Sequence, residues 1–295
     1  MLAGIADLEL VARMVVEGLV SGLHRSPFHG YSAEFSQYRH YRPGDDLKYV
    51  DWKLVARTDR LYTKQFRETT NMASAIVLDT SGSMDFPVAG SERTRPAGVG
   101  RVLSDPPVTK FRYAVIVAAA LAHLISGQGD AVGLLAGDGF LAPRAGRQHL
   151  RALLAALSSL AAAGNRSIAD NIRRASERLK RRGLVLVLSD FYDDEERTLA
   201  ELRRAARMGH EVVLFQILSR DEIDLPYRRD LEFADLESGR TLAINAGLAR
   251  RDYRDAIGAF LERWHSRAGA EGFHYSLIVT DTAPGRALRN FLLGR

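Results

Sequence analysis

The sequence predicts an α/β fold: an open, mostly parallel sheet with helices on both faces. Short apolar runs alternate with longer helical segments along most of the chain, which is the order of strands and crossover helices in such folds. One run, "LVLVLSD" at residues 184–190, is apolar until its last two residues. A run of this kind is typical of a strand buried on both faces at the centre of a parallel sheet.

Two regions differ in character along the chain. Residues 1–70 are aromatic, charged and irregular, and we expect a helix and a following segment that pack on a main domain of residues 71–295. The N-terminal helix is predicted because apolar residues recur on one face: Leu8, Val11, Val15 and Leu19. Acidic residues interrupt this stretch, unlike a secretion signal. A helix lying on a membrane surface is the alternative, but a polar face of mixed charge favours docking.

The elements of the main domain are predicted from apolar runs and from the residues that bound them. The strands are short runs between turn residues: 74–79, 130–139 with its hairpin partner 140–145, 184–190, 211–218 and 273–280. The helices are longer, and several end at glycine: 111–129, 148–164, 167–183, 195–208, 251–268 and a short C-terminal helix. Residues 231–244 resemble an edge hairpin, and residues 87–109 are a Pro-, Gly- and Ser-rich loop.

Composition excludes several classes of site. The 295 residues are 46% apolar and 26% charged, as in ordinary globular proteins, and include no cysteine. Disulfides, thiolate zinc sites and cysteine nucleophiles are therefore absent. The net charge of +5 is small for this length and favours no nucleic-acid partner. No apolar stretch looks long enough to span a bilayer, so we expect a cytoplasmic protein without a transmembrane segment.

Oxygen-bearing side chains follow two of the predicted strands. Asp79 ends the first core strand, Ser81 and Ser83 lie in the loop behind it, and Asp190 ends the central strand. Ser167 begins the helix before that strand. Because ligands of open α/β sheets collect at the carboxyl ends of the strands, we expect these side chains to meet at one rim. Two carboxylates and three hydroxyls suit a hard cation, Mg²⁺ or Mn²⁺, with the aspartates holding its waters.

The segment "DTSGSM" at 79–84 resembles the metal-ion-dependent adhesion site of von Willebrand factor A domains, whose signature is Asp-x-Ser-x-Ser. The resemblance implies that Asp79, Ser81 and Ser83 are metal ligands. It also implies that Ser167 replaces the family's threonine and that Asp190 is its later aspartate. Serine at 167 keeps the hydroxyl, although its rotamer is less restrained than that of threonine.

An upstream block resembles the bacterial family called domain of unknown function 58. It consists of Arg39, Tyr41, Gly44, Asp45, Asp51, Trp52, Ala56 and Arg57, just ahead of the adhesion-type motif. We expect its charged residues to form a buried ion-pair network around a packed indole. The alternative is that the block faces a partner.

These features predict a non-enzymatic, metal-dependent protein-protein interaction module. The resemblance implies a link to MoxR-type AAA+ ATPases and a partner that offers an Asp or Glu to the metal. A metal-dependent hydrolase is the alternative, but a phosphatase of the haloacid-dehalogenase type needs an Asp where Ser81 stands, and no glycine-rich Walker loop is present. A nucleic-acid binder is a third possibility, resting on the basic helix end at 173–182, which also complements a helix dipole.

Overall fold

The computed structural model describes residues 2–20, 33–42, 45, 50–68, 72–88, 109–162, 167–227, 230–234 and 241–294. The strands are β1 Ala33–His40, β2 Tyr62–Glu68, β3 Ala73–Leu78, β4 Ala131–Ala136, β5 Gly139–Arg144, β6 Gly183–Ser189, β7 Glu211–Leu218, β8 Asp230–Ala234, β9 Thr241–Asn245 and β10 His274–Val279. The helices are α1 Leu2–Val20, α2 Trp52–Thr58, α3 Lys110–Gly127, α4 Arg147–Ser159, α5 Ile168–Arg178, α6 Glu195–Arg207, α7 Arg220–Asp224, α8 Ala246–Ala270 and α9 Pro284–Leu293.

Six strands form the central sheet in the order β10-β7-β6-β3-β4-β5. Neighbouring strands are parallel except β4 and β5, which form the predicted antiparallel hairpin at one edge. Every residue of β6 is buried, as its apolar run predicts for a central strand. The sheet therefore confirms the predicted α/β fold.

Helices cover both faces of the sheet and divide the core in two. Ile76 and Leu78 of β3 pack on one face with α1, α3, α4 and α9. Ala75 and Val77 point to the other face and pack with α5, α6 and α8. This alternation follows from the two-residue period of a strand. Because each face is buried, the alternation also fixes the register of β3, the strand that leads directly into Asp79.

Several predicted boundaries are wrong, and Gly183 explains the largest error. The glycine was expected to end α5, but α5 ends at Arg178 and Gly183 is the first residue of β6. A Cβ at position 183 would lie 2.1 Å from the Ala73 carbonyl oxygen, so close strand pairing requires glycine there. The helix predicted to end at Gly164 ends at Ser159, and α8 begins five residues before the predicted 251.

The N-terminal helix packs on the domain through α3, α4 and α9. Leu8 and Leu19 are buried in the core, whereas Val11, expected on the same face, is 37% exposed. The following segment forms the β1–β2 antiparallel hairpin. Strands β8 and β9 also form a hairpin, but it is a separate two-stranded sheet rather than an edge of the central one.

Helix α3 corrects the expectation that no stretch is long enough to span a bilayer. Among the described residues it is the one helix that passes this test by length and composition. However, 67% of α3 is buried inside the fold, because it is the central core helix of its face. The loop before it has its ends joined by a bridge between Pro87 and Thr109, while residues 89–108 lie outside the described part.

Candidate functional site

Asp79 follows β3 directly and lies at the carboxyl edge of the sheet. Its backbone amide donates to the Leu188 carbonyl of β6 at 2.9 Å, so the strand pairing fixes its position. Asp79 is 3% exposed. Both carboxylate oxygens accept hydrogen bonds, Oδ1 from the Ser81 amide at 2.8 Å and Oδ2 from the Ser189 hydroxyl at 2.5 Å.

The environment of Asp79 disfavours its charge. Burial and the neighbouring negative charge of Asp190 raise the pKa of Asp79 to about 6, and the hydrogen bonds from Ser189 and Ser81 oppose the rise. Two carboxylates held close together in a buried setting repel each other unless a proton or a cation lies near them. Positive charge near the rim would therefore stabilise both carboxylates in their ionised form.

Ser81 and Ser83 lie beside Asp79 on the loop that leaves β3. Their hydroxyl oxygens are 3.0 Å apart. A 3-10 turn at Gly82–Asp85 brings them together, and the fully buried Met84 anchors this turn in the core. Both serines are partly exposed, so their oxygens face the solvent side of the rim.

Asp190 ends β6 and lies next to Ser189. Asp190 is 1% exposed, and its Oδ1 accepts a long hydrogen bond of 3.3 Å from the Tyr192 amide. The Ser189 hydroxyl donates to Asp79 and accepts from the Phe191 amide at 2.9 Å. Phe191 has a left-handed φ of 59°, uncommon for a large residue, which turns the chain away from the strand and leaves Asp190 at the rim.

Ser167 lies at the start of α5. It is the N-cap of α5, where its hydroxyl accepts from the Ala169 amide at 3.2 Å. The next amide, Ile168, donates to the Asp193 carboxylate at 3.0 Å, which ties the start of α5 to the loop after β6. Among the described hydrogen bonds, one links Asp79 directly to Ser81, and the one accepted by the Ser167 hydroxyl caps α5.

Lys110, which sequence analysis did not identify as a site residue, pairs with Asp190 at the rim. Its side chain is fully buried, and Nζ lies 2.8 Å from Asp190 Oδ2 and 2.7 Å from Glu222 Oε1. Burial alone would lower the pKa of Lys110, but the charges of Asp190 and Glu222 outweigh burial and raise it. The ammonium is therefore a permanent positive charge inside the site.

Glu222 and Gln216 are the other site residues that the sequence did not indicate. Glu222 Oε2 accepts from the Ser219 amide at 2.7 Å, at the start of α7. Gln216 of β7 donates to the Asp190 carbonyl at 2.9 Å. One signal for Lys110 was available: a lysine as the first residue of a helix opposes the helix dipole and so needs another reason to be there.

The donor set fits a divalent cation. The Lys110 ammonium pairs with Asp190 and Glu222, and Asp79 is a further buried acid at the end of the neighbouring strand β3, so the buried acids outnumber the buried cation. A divalent cation would balance this excess of negative charge. Over the described part of the chain, no three His, Asp or Glu side chains are grouped to hold a metal, so hydroxyl and water oxygens must complete the shell. At the rim, the hydroxyls of Ser81 and Ser83 would be such ligands, with the carboxylates of Asp79 and Asp190 beside them.

The upstream block corrects one expectation. Trp52, predicted to be a packed indole, is 59% exposed at the start of α2, a helix with no buried residue. Arg39 and Asp45 do form an ion pair at 2.8 Å, but it is only partly buried. Asp51 caps α2 and accepts from the Tyr38 hydroxyl at 2.8 Å. The exposed indole favours the alternative, a surface that faces a partner.

Comparison with known proteins gives a family match. The family model described as "Protein of unknown function DUF58" matches residues 37–260, which include both the upstream block and the rim. The proteins described as Uncharacterized protein Rv1480 of Mycobacterium tuberculosis and Uncharacterized protein Mb1516 of Mycobacterium bovis are each 30% identical over 270 residues. The alignments cover 87% of this chain and 78% of each relative.

Similar solved structures have low sequence identity. BatB from Bacteroides thetaiotaomicron is 13% identical, with 76% of this chain and 98% of that chain covered and a TM-score of 0.45. The SpRpn10 VWA domain is 16% identical, with 74% and 93% covered and a TM-score of 0.40. A von Willebrand factor type A protein from Catenulispora acidiphila is 12% identical, with 79% and 43% covered and a TM-score of 0.38.

Proposed function

The chain belongs to the family of proteins of unknown function DUF58, and we propose that it is a non-enzymatic protein-interaction module whose binding depends on Mg²⁺ or Mn²⁺. The observation that carries the proposal is the rim itself. Asp79 and Asp190 are buried side by side at the ends of adjacent strands, and two serine hydroxyls lie in front of them. The net negative charge of the cluster favours a divalent cation there.

The cation would serve as a bridge to a partner. Hydroxyl ligands neutralise little of the ion's charge, so it stays electrophilic and accepts an additional carboxylate oxygen from outside. The partner accordingly offers an Asp or Glu side chain. Ser81 and Ser83 are partly exposed, which leaves this side of the ion open to an approaching carboxylate.

The partner that the family resemblance suggests is a MoxR-type AAA+ ATPase or one of its clients, met in the cytoplasm. The exposed Trp52 on α2 offers a second contact surface of the kind that protein interfaces favour, since indoles are enriched at their centres. In this proposal the rim provides the metal-dependent contact and α2 adds area.

A hydrolase would need a group that is free to activate water, and hydrogen bonds of 2.8 Å or shorter among the described residues already occupy three of the four carboxylate oxygens of Asp79 and Asp190. Both oxygens of Asp79 already accept hydrogen bonds, and Asp190 Oδ2 is held by Lys110. These bonds favour a site that binds a ligand rather than a site that catalyses a reaction. A phosphatase or esterase activity that disappears in Asp79→Asn would contradict the non-enzymatic proposal.

Calorimetric titration with Mg²⁺ and Mn²⁺ tests the metal. We expect one site per chain in the wild type and at least about tenfold weaker binding in Asp79→Asn and in the double variant of Ser81→Ala with Ser83→Ala. Glu177→Gln removes an exposed carboxylate on α5 and is the matched control, with unchanged binding. Equal affinity in all four proteins would overturn the assignment of the site.

Partner binding needs a test that does not rely on chelation, because an AAA+ ATPase itself requires Mg²⁺. The purified ATPase is therefore titrated with wild type, Asp79→Asn and Glu177→Gln at one fixed Mg²⁺ concentration. Loss of binding in Asp79→Asn alone is the expected result. Unchanged binding in all three would place the contact away from the rim.

A further inference from the structure

Lys110 is fully buried, and it lies where the metal-dependent function is proposed. It is the first residue of α3, and its amide donates to the Phe86 carbonyl at 2.9 Å. The ammonium lies 5.1 Å from the centre of the Tyr192 ring, close enough for a cation–π contact. The side chain is thus held from several directions.

The two acids that pair with Lys110 have different positions. Asp190 belongs to the rim, at the end of β6. Glu222 is on α7, where one oxygen accepts from the Ser219 amide and its carbonyl accepts from the Tyr253 hydroxyl at 2.6 Å. Lys110 therefore connects the rim to a helix that follows the neighbouring strand β7.

We propose that Lys110 and Glu222 form a built-in charge pair that sets how tightly the rim binds its divalent cation. Lys110 occupies Asp190 Oδ2 and leaves Oδ1, whose only described donor is the 3.3 Å Tyr192 amide, for a water of the ion. The ammonium repels the incoming cation, and the Glu222 carboxylate reduces that repulsion. This inference rests on the proposed metal dependence and assigns positioning roles to two residues outside the ligand set.

The alternative is that the pair only holds α3 and α7 together. If the pair only held the two helices together, its removal would change the stability of the fold. The Mg²⁺ affinity of the variants would then not follow the sign of the charge that each one removes. The sign of the affinity change therefore separates the two roles: removing the positive charge strengthens cation binding, and removing the negative charge weakens it.

The test measures Mg²⁺ affinity of Lys110→Met, Glu222→Gln and the double variant by calorimetry. We expect Lys110→Met to bind at least about tenfold more tightly than wild type and Glu222→Gln at least about tenfold more weakly. The double variant keeps the net charge of the cluster and should lie within about threefold of wild type. Lys110→Arg keeps the charge and should also bind like wild type.

A second readout reports the rim in folded protein. Phe191 follows Asp190 directly, and its ring centre lies 4.6 Å from that of Trp264. The fluorescence of Trp264 therefore reports the turn after Asp190. Trp52→Phe leaves Trp264 as the single tryptophan, because the chain has two. If Lys110→Met is unstable alone, Mg²⁺ should raise its melting temperature more than that of wild type, since ligand binding stabilises the folded state.

The outcomes separate this inference from the proposed function. Mg²⁺ binding by wild type without the expected order among the variants overturns the charge pair alone. Absence of binding in every protein overturns both. Binding by Lys110→Met but not by wild type supports the charge pair and gives the ammonium a stronger opposing effect.

Discussion

At the residue scale, the two tryptophans have opposite surroundings. Trp264 of α8 is fully buried against Phe191, whereas Trp52 is 59% exposed. Trp264→Ala should lower the free energy of unfolding by about 3–5 kcal/mol, because it leaves a large cavity. Trp52→Ala should change it by less than about 0.5 kcal/mol. Urea denaturation followed by circular dichroism measures both, and a similar loss in the two variants would contradict the assigned burial.

His210 predicts a pH dependence. It is 6% exposed, and burial lowers its pKa more than the hydrogen bond to the Ser176 carbonyl raises it. As the pH falls through the ordinary histidine range, the unfolded chain binds the proton first, so stability falls. His210→Gln keeps a donor for the carbonyl and does not titrate.

We therefore expect the variant to lose less stability than wild type between pH 7.5 and pH 5.5, measured by urea denaturation at each pH. His123, whose pKa burial also lowers, is the comparison: His123→Gln should remove a separate share of the slope. Parallel losses in wild type and His210→Gln would mean that folding does not shift the pKa of His210.

The residue scale also explains how far the sequence predicts the site. Asp79, Ser81 and Ser83 lie within one five-residue motif, so their proximity follows from local chain geometry. Lys110 and Glu222 are 112 positions apart and meet only because the fold brings the start of α3 next to α7. A single sequence contains no local signal of such a long-range ion pair.

At the element scale, Gly183 determines where β6 can begin. Its predicted role as a helix end came from the preference of glycine for helix termini, but tertiary contact with β3 prevails. Gly183→Ala should lower the free energy of unfolding by roughly 1–3 kcal/mol, because the new Cβ meets the backbone oxygen of Ala73, which cannot move without breaking strand pairing. Chemical denaturation measures the loss.

Gly258 of α8 is the matched control. A Cβ there meets nothing within 4 Å, and alanine is the better helix former, so Gly258→Ala should stabilise by up to about 1 kcal/mol. A neutral Gly183→Ala would mean that β3 and β6 separate more easily than their buried positions indicate.

At the scale of the whole molecule, α1 completes the core. The apolar runs alone predicted the sheet and its crossover helices, since the apolar residues of each strand and helix repeat with the period of that element. Which helix covers α3 depends on contacts between distant segments: Leu8 and Ala12 are fully buried in the same core as α3, and Gly285 of α9 approaches Val15 closely. Helix α3 is thus shielded by the N-terminal residues of the same chain.

Removing that shield should expose α3, the one helix of the described chain that is long and apolar enough to cross a membrane. We expect a variant lacking residues 2–20 to bind a hydrophobic dye and to aggregate, because α3 would present a contiguous apolar patch to water. Leu8→Ala, within the intact chain, should lower the free energy of unfolding by about 2–5 kcal/mol. Leu10→Ala, at a residue 57% exposed on the same helix, should change it by less than about 0.5 kcal/mol. If the truncated protein stays monomeric and as stable as wild type, α1 does not contribute to the core and other residues bury α3.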